Sequence, residues 1–351
     1  MESPQGHCLW ISNIRNCTES AYLVTMVKVQ VAITTLGWIL AIITLIIHTR
    51  ANKNKFRLMK STEIGFVPNP IPSILVFWGL SSFVRMWDEI ILINNWLPYY
   101  SYRKLLQAVG FWLLSVGSTW YLMGIIFNIP KNFTTVYYKA LRNNGEPKPV
   151  VLIWVPTNMS SKLILYVCSL AMLVINLPLS YLSGSFFDQK DWDKGIAILA
   201  IEHLVGAMLL FAAFIKSSYY GRKLYKIVKL HDRTLLASKK VKSAFSNMRN
   251  TFIFFAGFNS IVTPAWLLLP LIYKRADNMS TALYLVLGTY FRIGVSVLNI
   301  LIIGNILVGL ILNVRSSEIV SSDDNHKLVP LSASSTSNQQ YPKANMNTRQ
   351  F

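Results

Sequence analysis

The chain has 351 residues, of which 53% are hydrophobic and only 14% are charged, and its formal net charge is +19. This composition fits either one large soluble domain or a multi-pass membrane protein. Apolar runs of about 20 residues favour the membrane, because a helix needs about that length to cross the hydrocarbon core. The positive charge lies mainly between these runs, so no nucleic-acid partner is predicted.

The chain begins with a polar segment, residues 1–26, that lacks the apolar core of a cleavable signal peptide. Cys8 and Cys17 are its two cysteines, and they either pair as a disulfide outside the cytoplasm or stay reduced. Asn16 stands in an N-glycosylation tripeptide, as does Asn278 before the last apolar run. Residues 1–26 are therefore predicted to be an extracellular tail of a glycoprotein.

Residues 27–312 are predicted to form an all-α, seven-transmembrane helix bundle. The predicted spans are 27–48, 72–95, 105–127, 161–183, 195–215, 251–273 and 282–312. Residues 313–351 follow as a Ser-rich cytoplasmic tail with too little apolar surface to fold, so they are predicted to be disordered.

Basic residues indicate the orientation of the spans. Segments 49–71 and 128–162 carry five each, and segment 216–250 carries ten. The intervening loops carry two each: 96–104, 186–194 and 274–280. Since basic loops stay in the cytoplasm, the N-terminus is predicted outside and the C-terminus inside.

Ionisable side chains interrupt three of the apolar runs. They are Arg85, Asp88, Glu89, Glu202, His203 and Arg292. A charge at the bilayer centre costs at least about 2.5 kcal/mol, so these groups are expected to face one another inside the bundle. Counting 1.5 Å of rise per residue places them all in the outer half of the membrane. They are the candidates for a ligand pocket or a polar clamp.

Spacing predicts how these groups pair. Arg85 can reach Asp88 or Glu89 on its own helix, which leaves Glu202 for Arg292. One negative charge is then in surplus if His203 is neutral, which favours a cationic or strongly hydrogen-bonding ligand. Two alternatives stay open: a clamp between helices without a ligand, or a proton or cation pathway.

The third basic segment has apolar residues at roughly helical spacing, so it is predicted to extend spans five and six as amphipathic helices. Such a basic surface suits anionic lipid headgroups or an acidic protein partner. The candidate residues for contact with a cytoplasmic partner are Arg222, Lys223, Lys226, Lys229, Lys239 and Lys240.

The sequence contains no signature of an enzyme. It has no phosphate-binding glycine loop, no His-Glu-x-x-His motif and no Gly-x-Ser-x-Gly elbow. Its five histidines are scattered over both sides of the membrane. No catalytic residues, metal site or cofactor are predicted.

Seven spans, an outer N-terminus, a basic third inner loop and a Ser-rich tail resemble the architecture of G-protein-coupled receptors over the whole chain. The end of span three, residues 127–130, lacks the Asp-Arg-Tyr motif of the rhodopsin-like class. The junction after span five, Tyr219–Leu224, resembles the corresponding segment of the plant tobamovirus-multiplication family of seven-helix proteins.

These features predict a membrane receptor for an unknown small ligand, which couples an outer pocket to a cytoplasmic partner such as a heterotrimeric G protein. The plasma membrane is the predicted location, with an endomembrane as the alternative. The competing functions are a proton or cation transporter or channel that uses the intramembrane carboxylates, and a membrane scaffold that acts through its basic loops.

Overall fold

A computed structural model gives the fold of the chain. It describes residues 14, 17, 20–52, 55–62, 65–127, 135–138, 148–151, 158–231, 252–253, 255–257, 259–260, 262–264, 266–272 and 281–326. The chain divides into a large compact unit, Met1–Leu310, and a small one, Ile311–Phe351. All contacts described below lie within the large unit.

The described chain is built mainly from long helices. In chain order they are α1 Ser20–Ala51, α2 Pro70–Asn94, α3 Tyr100–Phe127, α4 Asn158–Ala171, α5 Leu177–Asp188, α6 Trp192–His231, α7 Phe255–Ile272, α8 Thr281–Thr289 and α9 Val295–His326. A π-helical turn, Met172–Asn176, joins α4 to α5, and a second, Tyr290–Gly294, joins α8 to α9.

Six of the described helical segments are long and apolar enough to cross a membrane. They are Ser20–Ala51, Tyr100–Phe127, Leu165–Asp188, Trp192–Lys223, Phe255–Ile272 and Leu285–Ile311. The protein is therefore an all-α, multi-pass integral membrane protein, as predicted at this level. Helix α2, which corresponds to the second predicted span, is not among these six, and its three charged residues set it apart from them.

Helix α2 tolerates its charges because protein surrounds it. It packs against both α1 and α3, and nearly half of its side chains are buried. The indole of Trp78 donates a hydrogen bond to the Leu114 carbonyl of α3 at 3.0 Å and packs against Phe255. Inside a bundle, such a helix exposes few of its polar groups to lipid.

Two short antiparallel hairpins were not predicted. β1 (Met59–Thr62) pairs with β2 (Gly65–Pro68), and β3 (Thr135–Tyr138) pairs with β4 (Lys148–Val151). Both lie in segments that the sequence analysis assigned to basic loops. Hairpin pairing satisfies backbone groups that a loop of this length would otherwise leave to water.

The first and last helices extend beyond their predicted ends. Helix α1 begins at Ser20, within the segment predicted to be a tail, and α9 continues to His326 rather than ending at residue 312. The sequence after residue 312 has no Gly or Pro to stop a helix before Pro330. The predicted disorder of the tail therefore concerns at most 327–351, which lies outside the described residues.

We call the end of the bundle that contains the α2–α3 loop (residues 95–99) and the α5–α6 turn (residues 189–191) the A end. The opposite end, which contains the β1–β2 hairpin, is the B end. At the A end, the Asp188 carboxylate accepts hydrogen bonds from Tyr100 N, Ser101 N and Ser101 Oγ at 2.7, 3.1 and 2.8 Å. A carboxylate at a helix start satisfies free backbone N–H groups, so Asp188 ties α5 to the beginning of α3.

Candidate functional site

A polar cavity of about 50 Å³ lies between the helices toward the A end. Six of its lining residues are the ionisable groups singled out in the sequence: Arg85, Asp88, Glu89, Glu202, His203 and Arg292. All six side chains are buried. Arg85 is nine residues before the last residue of α2, which corresponds to about 14 Å below the A end.

Arg292 forms an ion pair with Glu89. The distance from Arg292 Nη1 to Glu89 Oε2 is 2.5 Å, and the same nitrogen donates to Gln30 Oε1 at 3.4 Å. The predicted pairing of Arg292 with Glu202 is therefore wrong. Which carboxylate faces the guanidinium depends on the rotation of each helix about its axis, and charge counting along the chain contains no information on that rotation.

Glu202 is held by two residues on other helices. Ser180 Oγ donates to Glu202 Oε1 at 2.6 Å, and Lys104 Nζ lies 3.7 Å from Glu202 Oε2. Lys104 is only 3% exposed, although the sequence analysis assigned it to an outer loop. Helix α3 begins at Tyr100 instead of residue 105, so its first turn already carries Lys104 into the bundle.

Lys104 changes the charge balance near the cavity. With it, four buried cations accompany three buried carboxylates when His203 is neutral. The cations are Arg85, Arg103, Lys104 and Arg292, of which Arg103 interacts electrostatically with Asp88, and the carboxylates are Asp88, Glu89 and Glu202. The predicted surplus of one negative charge is therefore wrong, and the preference for a cationic ligand loses its basis.

Arg85 does not form the direct ion pair with Asp88 or Glu89 that was predicted. Its guanidinium lies over the Phe111 ring, 5.5 Å from the centroid, and Asp88 and Glu89 stay within electrostatic reach without a direct ion pair to it among the described residues. Gly110 makes room for this side chain, because a Cβ there would lie 2.9 Å from Arg85 Cγ. A cation over an aromatic face keeps part of its hydrogen-bonding capacity free.

His203 and Trp266 form the B-end wall of the cavity. The His203 Nδ1–H donates to the Leu199 carbonyl at 2.8 Å, and the ring packs 5.1 Å from that of Trp266. Trp266 also meets Phe111 edge to face at 4.9 Å. A Cβ at Gly206 would lie 2.3 Å from the Trp266 ring, so only glycine allows α6 to approach it this closely.

Four polar atoms of the cavity residues are buried and have no hydrogen-bond partner among the described residues. They are Arg85 Nη1, Asn176 Oδ1, Glu202 Oε2 and Arg292 Nε. Two of them are donors and two are acceptors. Buried polar groups in folded proteins are nearly always hydrogen-bonded, so this set marks a place where a polar molecule can bind.

Asn176, Gln30 and Lys104 were missed by the sequence analysis. Asn176 ends the first π turn, two residues before Pro178, and Arg292 lies inside the second. Proline lacks the backbone N–H that a regular helix needs, so a widened turn before it is a common adjustment. A polar residue beside a proline in an apolar run was the signal that could have identified Asn176.

The remaining predicted residues lie elsewhere. Arg222 is exposed near the B end of α6, and Lys223 lies over the Tyr219 ring at 5.7 Å. Lys226 and Lys229 belong to the same helix, and Lys239 and Lys240 lie outside the described residues, as do Asn16, Asn278 and Cys8. Cys17 is disulfide-bonded, and its pairing with Cys8 stays a prediction.

Within the described part of the chain, no group of three or more His, Cys, Asp or Glu side chains is arranged to hold a metal ion. The chain matches no protein-family model, no curated protein and no solved structure at a significant level. The geometry of the polar cavity therefore provides the basis for a functional assignment.

Proposed function

We propose that this protein is a seven-transmembrane receptor that binds a small zwitterion of the amino-acid type in its polar cavity. The observation that carries the proposal is the group of four buried polar atoms on the cavity residues that have no hydrogen-bond partner among the described residues, although one of them, Glu202 Oε2, has an ionic contact with Lys104 at 3.7 Å. Leaving one such group unsatisfied costs about 1–3 kcal/mol. A ligand that supplies partners to several of them at once gains that energy on binding.

The chemistry of these atoms favours a zwitterion. Arg85 Nη1 and Arg292 Nε are donors that suit a carboxylate, while Asn176 Oδ1 and Glu202 Oε2 are acceptors that suit an ammonium group. A zwitterion carries no net charge, so its binding leaves the balance of fixed charges around the cavity unchanged. A volume of about 50 Å³ holds roughly three or four water-sized groups, which is the scale of a small amino acid.

The cavity also suits coupling to the B end. Its lining residues come from α1, α2, α3, α6, α7 and both π turns. A ligand that bridges Arg85, Glu202 and Arg292 favours one packing of these helices over others. The basic B-end part of α6, which includes Arg222, is the proposed contact for a cytoplasmic partner, for which we propose a heterotrimeric G protein.

In this proposal α2 also crosses the membrane, which brings the number of spans to seven. The A end faces the outside of the cell, and the protein lies in the plasma membrane. The excess of basic residues in the B-end loops supports the orientation. The disulfide at Cys17, on the A-end side of α1, supports it independently, because disulfides persist outside the reducing cytosol.

Thermal unfolding of the purified full-length protein tests the binding site. We expect glycine to raise the melting temperature in a concentration-dependent way, since a ligand that binds only the folded state stabilises it. Betaine, which has the same charges but no N–H donors, is expected to have no effect. The proposal is contradicted if glycine and betaine raise the melting temperature equally, or if neither of them raises it.

A pair of asparagine variants separates binding from folding. Asn176→Leu and Asn299→Leu each remove a buried oxygen without a partner, so each is expected to stabilise the unliganded protein by about 1 kcal/mol. Only Asn176 lines the polar cavity. We therefore expect the glycine shift to disappear in Asn176→Leu and to persist in Asn299→Leu, and the reverse result overturns the assignment.

Coupling is tested by distance measurements between spin labels at Lys60 and Arg222, two exposed residues toward the B end. We expect glycine to change the distribution of distances in the otherwise unaltered protein and to leave it unchanged in the Asn176→Leu background. Binding without any change at the B end removes the receptor part of the proposal and retains the binding site.

A transporter is the second candidate, and one observation favours it. A second cavity lies on the B-end side of Trp266, between α3, α6 and α7, so both cavities adjoin the same helices. Proton flux into vesicles that contain the protein, lost in Glu202→Gln, decides for the transporter. A membrane scaffold is the better description if the Asn176→Leu and Glu202→Gln variants keep the cellular function of the protein while a deletion of residues 232–250 abolishes that function.

A further inference from the structure

The second cavity differs from the first in both size and lining. Its volume is about 120 Å³, and most of its surface is formed by apolar side chains of α3, α6, α7, the first π turn and the residues just before α7. They include Leu114, Leu122, Met172, Leu210, Phe252 and Phe255. This surface favours a hydrocarbon occupant and leaves a polar molecule without partners.

The cavity is elongated along the helices. Its lining reaches from Leu114 to Ile126 on α3 and from Leu209 to Tyr220 on α6. At 1.5 Å per residue these stretches are about 16 to 18 Å long. A volume of about 120 Å³ spread over that length gives a narrow channel, which fits one extended chain better than a fused-ring body.

The one charged residue that lines this cavity within the described part of the chain, Lys216, lies toward its B-end part, next to Ser217. Ser217 is only 1% exposed, and its Oγ is buried without a hydrogen-bond partner among the described residues. Its neighbour Lys216 also lines the cavity and is exposed at the surface of the bundle. The Lys216 ammonium and the Ser217 hydroxyl both line the cavity and can both donate to an anionic head that accepts hydrogen bonds.

The cavity adjoins the lipid-facing surface. Ala212 and Lys216 both line it and are exposed, one helical turn apart on α6. Lys216 lies 24 residues after the first residue of α6, which is about 36 Å along the helix and places it near the B-end membrane surface. A lipid can therefore enter sideways with its head at the interface and its chain between the helices.

We propose that this cavity binds a single-chain anionic lipid, with the acyl chain between α3, α6 and α7 and the head group at Lys216 and Ser217. Both a fatty-acid carboxylate and a lysophospholipid phosphate supply the required negative oxygen atoms. This inference is independent of the zwitterion site, because none of these residues lines the polar cavity.

The test measures binding of radiolabelled myristate to the full-length protein in phosphatidylcholine nanodiscs. Myristyl alcohol and myristoyl-lysophosphatidylglycerol serve as competitors. Since the alcohol has the same chain without the charge, we expect it to compete about tenfold more weakly than unlabelled myristate. Whichever of myristate and lysophosphatidylglycerol binds more tightly identifies the preferred head group.

Variants of α6 locate the site. Lys216→Gln is expected to weaken myristate binding about tenfold, and Ser217→Ala roughly three- to tenfold. Lys223→Gln is the matched control, because Lys223 lies on the same helix, does not line the cavity and loses the same charge. It is expected to leave the affinity for myristate unchanged.

A steric variant tests the position of the chain. Ala213→Trp places a bulky ring on a lining residue and is expected to abolish binding, while Ala197→Trp on an exposed position of α6 leaves it intact. Ser217→Ala keeps the test decisive if Ala213→Trp fails to fold. The proposal is overturned if myristate and myristyl alcohol compete equally well, or if Lys216→Gln and Lys223→Gln bind myristate with equal affinity. Either result means that the protein has only non-specific annular lipid around it.

Discussion

The carboxylates of Asp188 and Glu202 each link helices, and they differ in how completely their oxygens are hydrogen-bonded. At the A end, the two oxygens of Asp188 accept three hydrogen bonds from the first turn of α3. In the polar cavity, one oxygen of Glu202 accepts from Ser180 and the other has only a 3.7 Å ionic contact with Lys104.

This difference separates a structural contact from a binding site. Both oxygens of Asp188 are hydrogen-bonded within the folded chain, so this carboxylate does not need a ligand to satisfy it. One oxygen of Glu202 can still accept a hydrogen bond, and so can the side-chain oxygen of Asn176. Arg85 and Arg292 each have a nitrogen that can still donate one. Buried polar groups are stabilising when fully paired and destabilising when partly paired, so incomplete pairing points to function rather than to stability.

The largest expected effect is at the ion pair of the cavity. Arg292→Met leaves the buried Glu89 carboxylate without its cation, which is expected to destabilise the protein by about 3–5 kcal/mol. Thermal unfolding in detergent measures the loss.

The double variant Glu89→Met with Arg292→Met is its control. Removal of both charges avoids an unpaired one, so we expect most of the stability to return. If the double variant is as unstable as the single one, the pair is not the energetic link between these helices.

A smaller effect is expected at the partly satisfied carboxylate. Ser180→Ala removes the hydrogen bond to Glu202 and is expected to cost about 1.5–3 kcal/mol, because its acceptor is charged. Ser183→Ala is a matched variant on the same helix, where the hydroxyl donates to the neutral Gly195 carbonyl at 2.9 Å. It is expected to cost only about 1 kcal/mol, and a larger loss for Ser183→Ala contradicts the assigned charge of Glu202.

A smaller effect than at the ion pair is also expected at the A end. Asp188→Ala removes the cap of α3 and is expected to cost about 1–2 kcal/mol in thermal unfolding. Because Asp188 does not line the polar cavity, the glycine-induced shift should persist in this variant. Loss of that shift shows that the A end and the cavity are coupled.

Asp191→Ala provides the comparison within the same turn. Asp191 is solvent-accessible and pairs with Lys194 at 2.6 Å, and this hydrogen bond holds the pKa of the Asp191 carboxyl below its usual value. Exposed ion pairs of this kind contribute little to stability. Asp191 Oδ1 also accepts a hydrogen bond from Lys194 N at 3.3 Å at the start of α6, so we expect Asp191→Ala to lower the melting temperature only slightly, by less than Asp188→Ala.

The sequence by itself determined the membrane class, the approximate helix positions and the six ionisable residues that lie around one cavity. Apolar run length is a local property, and hydrocarbon imposes it directly on the chain. The cost of a charge in lipid likewise applies residue by residue, so Arg85, Glu202 and Arg292 could be singled out before any contact was known.

Only the tertiary structure decided which of these groups meet. Arg292 faces Glu89 rather than Glu202, and Lys104 enters the bundle because α3 starts five residues earlier than its apolar run suggests. The two π turns, which carry Asn176 and Arg292, change the rotation of each helix beyond them. Partners between helices depend on these rotations and on packing across many residues, and neither quantity is encoded in any single stretch of the chain.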